Sequence, residues 1–203
     1  MVRQTLWLAA VFLAVILLAG CVPDIRAQNQ IGPAELTSDQ QEIVDLLGFG
    51  TQNIMLFDFS TNEPFTTIEL WVEALEYGEL VDQPVGIHMG NPNAGSLEGR
   101  MAVIVDHDTQ DSSFRWTVIV DDGGGRGRSV SESVAVGEDL LRASLGPEMD
   151  PVTIQDGKEI ILNISKFHSG GVSMFSDRQI YLEQPELLKE YPYVHIIKAR
   201  FSS

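Results

Sequence analysis

The stretch RMAVIVDHDTQDSSFRWTVIVD (residues 100–121) reads as two β-strands folded back on each other. Met101, Val103 and Val105 alternate with polar or small residues on the first arm, and Phe114, Trp116, Val118 and Val120 do so on the second. A strand turns successive side chains to opposite faces, so this period of two buries one face and wets the other. The polar run from Asp106 to Ser113 suits the connection between the arms.

The same period extends outward in both directions. Residues 53–59 (NIMLFDF) form a compact apolar run, and in 65–77 Ile68, Leu70, Val72 and Ala74 oppose Glu69, Trp71, Glu73 and Leu75. A strand at 81–88 is expected to be broken by Pro84, and another is expected at 129–136, where Glu132 would be an inward charge guarding an edge. Asp156-Gly157 signals a hairpin turn into a strand at 159–167. Residues 193–201 begin apolar on both faces, as a strand near a sheet centre should. Helical signals are few. Thr37 or Ser38 can cap a helix over 38–47, with Gln41 as the capping-box partner of Ser38. A second short helix is expected at 137–146, and Pro185 opens a helical turn. The fold class is therefore mainly β: an antiparallel β-sandwich or barrel-like domain with two or three short α-helices, in one globular domain over 34–203.

Composition narrows the function classes. The chain has 203 residues and a formal charge of −16, which argues against nucleic acid as a partner because phosphate affinity comes from Lys and Arg. A single cysteine excludes an intramolecular disulfide framework and Cys-rich metal sites. That cysteine is placed with purpose. Arg3 precedes an apolar run from Leu6 to Leu18, shorter than the ~20 residues a membrane-spanning helix needs, and the run ends in Leu18-Ala19-Gly20-Cys21. This pattern resembles the lipobox of bacterial lipoproteins, in which cleavage precedes a lipidated cysteine. It implies a signal peptide over 1–20, a lipid on Cys21, and a flexible tether over 21–33 holding the domain off the membrane. Two acyl chains anchor firmly where one does not. The expected location is the extracytoplasmic face of the cell membrane.

Within residues 56–200, the segments IELWVEALEYGELV (68–81) and ELLKEYPYVHIIKARF (186–201) resemble a group of small lipoproteins of Gram-positive bacteria. The resemblance lies in texture, so it implies the class and brings no catalytic residue with it.

Four groups of residues are candidates for chemistry. Asp106, Asp108 and Asp111 form an oxygen-rich tip suited to a weak calcium site, although the spacing lacks the central Gly and terminal Glu of an EF-hand loop; a solvated turn is the plainer alternative. In Asp121-Asp-Gly-Gly-Gly-Arg-Gly-Arg128, three glycines can turn amides toward an anion, with Arg126 and Arg128 as partners; a flexible connection is the alternative. Trp71, between Glu69 and Glu73, has the makings of a sugar platform, or of a face covered by the 38–47 helix. The histidines His88, His107, His168 and His195 lack metal-ligand spacing, and His195 reads as a core or sheet-surface residue.

No nucleophile elbow is present, and paired carboxylates mean little in so acidic a chain, so no enzymatic activity and no cofactor beyond calcium is expected. The expectation is a binding module for an envelope protein or glycan. The alternatives are a metal- or small-ligand-binding lipoprotein, or an acidic inhibitor or immunity-type protein that caps a cationic partner.

Overall fold

The computed structural model describes residues 29–40, 42, 54–90, 96–108, 113–135, 141–144, 150–168 and 178–203. Two antiparallel sheets face each other. The first contains β1 (Gln30–Pro33), β2 (Ile54–Thr61), β5 (Leu97–Asp108), β6 (Ser113–Asp121), β7 (Arg126–Val130) and β10 (Val152–Thr153), in the order β10-β1-β2-β5-β6-β7, with β8 (Val134–Ala135) also paired to β6. The second runs β4 (Glu79–Gly90), β3 (Thr67–Glu76), β12 (Tyr193–Ser202), β11 (Glu159–His168) and β9 (Leu141–Ser144). Neither sheet closes on itself among the described residues, so the fold is a sandwich rather than a barrel.

Alternation makes the core. From the first sheet, Met55, Phe57, Phe59, Met101, Val103, Val105, Trp116 and Val118 point inward; Ile68, Leu70, Val72, Ile197, Ala199 and Phe201 meet them from the second. Aromatic edges interlock across the interface. Phe59 and Phe65 meet Phe201 edge-on at 5.3 and 5.8 Å, and His195 is boxed by Trp116 at 4.8 Å and Phe167 at 5.1 Å. The histidine is a core residue, buried completely.

The second sheet also buries half of its outer face. Leu75, Ile164, Val194 and Ile196 lie there under α1 (Arg178–Glu183) and a 3-10 helix over Pro185–Glu190, which contribute Tyr181, Leu188 and Tyr191. Pro185 stands in the first turn of that helix, where its missing N–H costs nothing. Lys166 is sealed beneath this cover. Its Nζ donates to Tyr181 Oη at 2.7 Å and lies 5.0 and 4.8 Å from the Tyr181 and Tyr191 ring centres. Burial, then the hydrogen bond with Tyr191, pushes the Tyr181 hydroxyl well above its ordinary value.

Several expectations need correction. Leu141–Ser144, expected in a helix, is an edge strand paired with β11, because that sheet offers ladder partners that outweigh local propensity. Gln30–Pro33, expected in the tether, is β1, paired on both sides and carrying the fully buried Ile31. Asp156-Gly157 turns the chain from β10 in one sheet to β11 in the other and closes no hairpin. Pro84 does not end its strand; it sits in a bulge that tolerates a residue without an N–H. Glu132 is exposed and lies outside the strands. The capping box exists one residue earlier than the Ser38 pattern: Thr37 N–H donates to Gln40 Oε1 at 3.1 Å and Gln40 N–H to Thr37 Oγ1 at 3.3 Å. Residues 43–47 of that helix lie outside the described residues.

Two close approaches depend on glycine. A Cβ at Gly99 would strike the Asp121 carbonyl oxygen and the Phe59 ring. One at Gly127 would meet the ends of the Ile87 and Met89 side chains, with Met89 Sδ at 2.8 Å, so a larger residue there would require those side chains of β4 to shift. By contrast, Gly90 has open space around it. Gly99→Ala is therefore expected to destabilise by roughly 1–3 kcal/mol, the usual range for overpacking. Gly90→Ala should leave the denaturation midpoint unchanged or slightly raised, and urea unfolding of the two variants checks the contrast.

Candidate functional site

The other half of the second sheet's outer face is open and charged. On β3, the residues out of phase with the core are Glu69, Trp71 and Glu73. Lys198 and Arg200 are outward on β12, and Glu159 stands at the start of β11. Register places Glu69 between His88 of β4 and Arg200 of β12, and Trp71 between Gly86 and Lys198. Residues 83 and 84 together face Glu73, and this bulge brings Gln83 to the rim. The result is a cleft of about 500 Å³ whose lining includes Glu69, Trp71, Glu73, Gln83, His88, Glu159 and Arg200.

Each charge in the cleft is held by another. Arg200 Nε donates to Glu69 Oε2 at 2.5 Å, and His88 Nδ1 lies 3.3 Å from Glu69 Oε1. Lys198 Nζ bridges Glu73 Oε2 at 2.9 Å and Glu159 Oε2 at 3.0 Å. The indole Nε1 of Trp71 donates to Glu73 Oε1 at 3.0 Å, and the Arg200 guanidinium carbon lies 5.6 Å from the Trp71 ring. Trp71 is 7% exposed, so it forms the floor of the cleft and does not protrude as a platform. Gly86 allows this packing. A Cβ there would lie 3.3 Å from Trp71 Cβ and 3.1 Å from Gln83 Nε2.

These contacts set the protonation states. The Arg200 hydrogen bond holds the Glu69 carboxyl below its ordinary value against the opposing pull of burial, and His88 adds to the lowering. Burial alone would lower the Lys198 ammonium, but hydrogen bonds to Glu73 and Glu159 outweigh it and keep the pKa above that of an ordinary lysine. The cleft thus presents fixed acceptors and donors above a nearly buried indole. That chemistry suits recognition of a polar ligand with apolar faces.

A family model described as the YgaN domain matches residues 30–201. The chain belongs to the YgaN domain family. Comparison with curated proteins and with solved structures returns no match. The match to the YgaN domain begins at the first residue of β1 and includes every residue of the cleft.

The residues singled out from sequence fall in different parts of the YgaN domain. Trp71, its flanking Glu69 and Glu73, and His88 line the cleft, and the cover on that sheet face comes from residues 178–191 at the far end. Asp106 is exposed at the end of β5, Asp108 pairs in register with Ser113, and Asp111 lies outside the described residues, as does Cys21. Among the described residues, no group of three or more His, Cys, Asp or Glu is placed to hold a metal. In the β6–β7 turn, the glycine amides expected to face an anion are taken by the chain's own carboxylates. Asp121 Oδ1 accepts from Gly123 N–H at 3.1 Å, and Asp122 Oδ1 accepts from Gly124 and Gly125 at 3.0 and 2.6 Å. Arg126 is bound to Asp121 Oδ2 through Nη2 at 2.6 Å, while Arg128 is exposed on β7, away from the cleft.

Sequence reasoning missed Glu159, Lys198, Arg200 and Gln83. The outward positions of 193–201 change from Val194 and Ile196 to Lys198 and Arg200, and that change was the available signal. Because the folded pKa of Glu69 lies below 4.5, its contribution to stability is complete above about pH 4.5 and is lost as pH falls through the folded value. Arg200→Gln should move the Glu69 titration midpoint upward toward 4.5, read from the carboxyl carbon shift by NMR.

Proposed function

We propose that this protein is a non-enzymatic, membrane-anchored lipoprotein of the extracytoplasmic face, held by a lipid on Cys21, whose YgaN domain binds an envelope glycan in the outer-face cleft. The cleft itself carries the reading. It joins an indole floor, three carboxylates, an oriented guanidinium and a glutamine in one open space. Sugar rings pair an apolar C–H face with a rim of hydroxyls, and hydroxyls need both donors and acceptors. Carboxylates locked in ion pairs make good acceptors and poor proton donors, which favours binding over acid catalysis. The leader and Leu18-Ala19-Gly20-Cys21 support the anchoring.

Binding of solubilised cell-wall polysaccharide and peptidoglycan fragments to the full chain tests the ligand assignment. Trp71→Ala and Glu73→Gln are each expected to weaken binding about tenfold, equivalent to roughly 1.4 kcal/mol. Undiminished binding by both variants would remove the cleft from the function. The anchor has its own test. Metabolic labelling with palmitate should mark the chain, and Cys21→Ser should lose the label and retain its leader by mass spectrometry.

A further inference from the structure

The tip of the β3–β4 hairpin lies outside the cleft and has features that glycan binding does not use. Tyr77, Leu80 and Val81 are 58, 62 and 52% exposed, three large apolar side chains within five residues. Tyr77 occupies the left-handed region at φ 48°, followed by Gly78 at φ 82°. A two-residue hairpin turn of this kind favours Asn or Gly at its first position, and tyrosine there is conformationally costly. The tip is also well supported. Tyr77 N–H bonds to Pro192 O at 3.4 Å, and Gly78 packs so closely on Lys189 that a Cβ would lie 2.7 Å from its Cγ. An exposed tyrosine beside leucine and valine, on a backbone tied to the neighbouring segment, is the composition of an interaction anchor.

Charge identifies the partner. Glu76, Glu79 and Asp82 are exposed on the hairpin itself, and Glu190 follows Lys189 on the neighbouring helix. Burial, then the charges of Asp82 and Glu76, raises the Tyr193 hydroxyl above its ordinary value. Anionic lipid is repelled by such a rim, and so is a second copy of a chain of net charge −16. We infer that the β3–β4 hairpin tip is a docking surface for a cationic protein segment that carries apolar side chains between its basic residues. The Tyr77-Leu80-Val81 patch takes the apolar side chains, and the carboxylates around it take the Lys or Arg.

The test uses the full chain in phosphatidylcholine nanodiscs, with empty discs as reference, and a labelled peptide probe of Lys and Leu. The wild-type chain should bind the probe, more weakly as salt rises from about 50 to 300 mM. A probe with every Leu replaced by Ser should bind about tenfold more weakly. Tyr77→Asn combined with Leu80→Thr should lose about tenfold in affinity, whereas Asp150→Asn at a distant exposed site should lose none. Asn suits the left-handed turn, so the melting temperature should hold; if it falls, Leu80→Thr alone carries the comparison. Equal affinity for the Ser probe, or undiminished binding by the hairpin variants, would overturn the inference in favour of bulk charge. Phosphatidylglycerol vesicles that bind wild type more than the hairpin variant would overturn it in favour of lipid. Self-association lost in the variant by sedimentation would do so in favour of a second copy.

Discussion

Strand β12 pairs with β3 along ten residues, Tyr193 against Glu76 through to Ser202 against Thr67, and both faces of that ribbon are committed. Its inner face supplies His195, Ile197, Ala199 and Phe201 to the core between the sheets. Its outer face divides in two. Val194 and Ile196 lie beneath α1 and the 3-10 helix, and beyond them Lys198 pairs with the cleft carboxylates and Arg200 lines the cleft. The cleft exists because the helical cover stops there. A ribbon paired on both sides cannot slip by one residue without exchanging core and cleft side chains, so the fold fixes the site's geometry.

The cleft's ion pairs illustrate a compromise. Lys198 and Glu73 are 16 and 17% exposed, so they lose much hydration, and a half-buried pair recovers that cost only when its hydrogen-bonding groups are satisfied. Glu73 meets the condition with the Trp71 N–H on one oxygen and the Lys198 ammonium on both. The same carboxylate therefore orients the indole and neutralises the lysine. Pairs nearer the rim, such as His88 with Glu69, are more hydrated and contribute less to stability. Their value lies in holding side chains in place before a ligand arrives.

The fold class was legible because alternation is a local signal: each arm of residues 100–121 shows its buried face within a few residues. The central position of β12 was legible for the same reason, since two apolar faces require cover on both sides. The 141–144 segment was not, because Leu141 with the neighbouring Leu140 and Leu145 fits either period and only the ladder with β11 decides between them. Trp71 and its flanking glutamates could be placed on one sheet face, but Arg200 and Glu159 are far from them in sequence, and register alone brings them together. The glycine turn misled for a different reason. Its amides do bind carboxylates, but the carboxylates are those of Asp121 and Asp122, immediately before it.

Strand β4 serves two masters by parity. Beyond the bulge, Val85, Ile87 and Met89 turn to the core and to Gly127, while Gly86 and His88 turn to the cleft. Gain or loss of one residue in this part of the strand would send histidine inward and isoleucine into the cleft. The irregular stretch around Gln83 and Pro84 already breaks the ladder, and a length change there leaves the parity beyond it intact. Among natural variants of this domain, insertions and deletions in β4 should therefore collect at the bulge and be absent from the five residues that follow Val85.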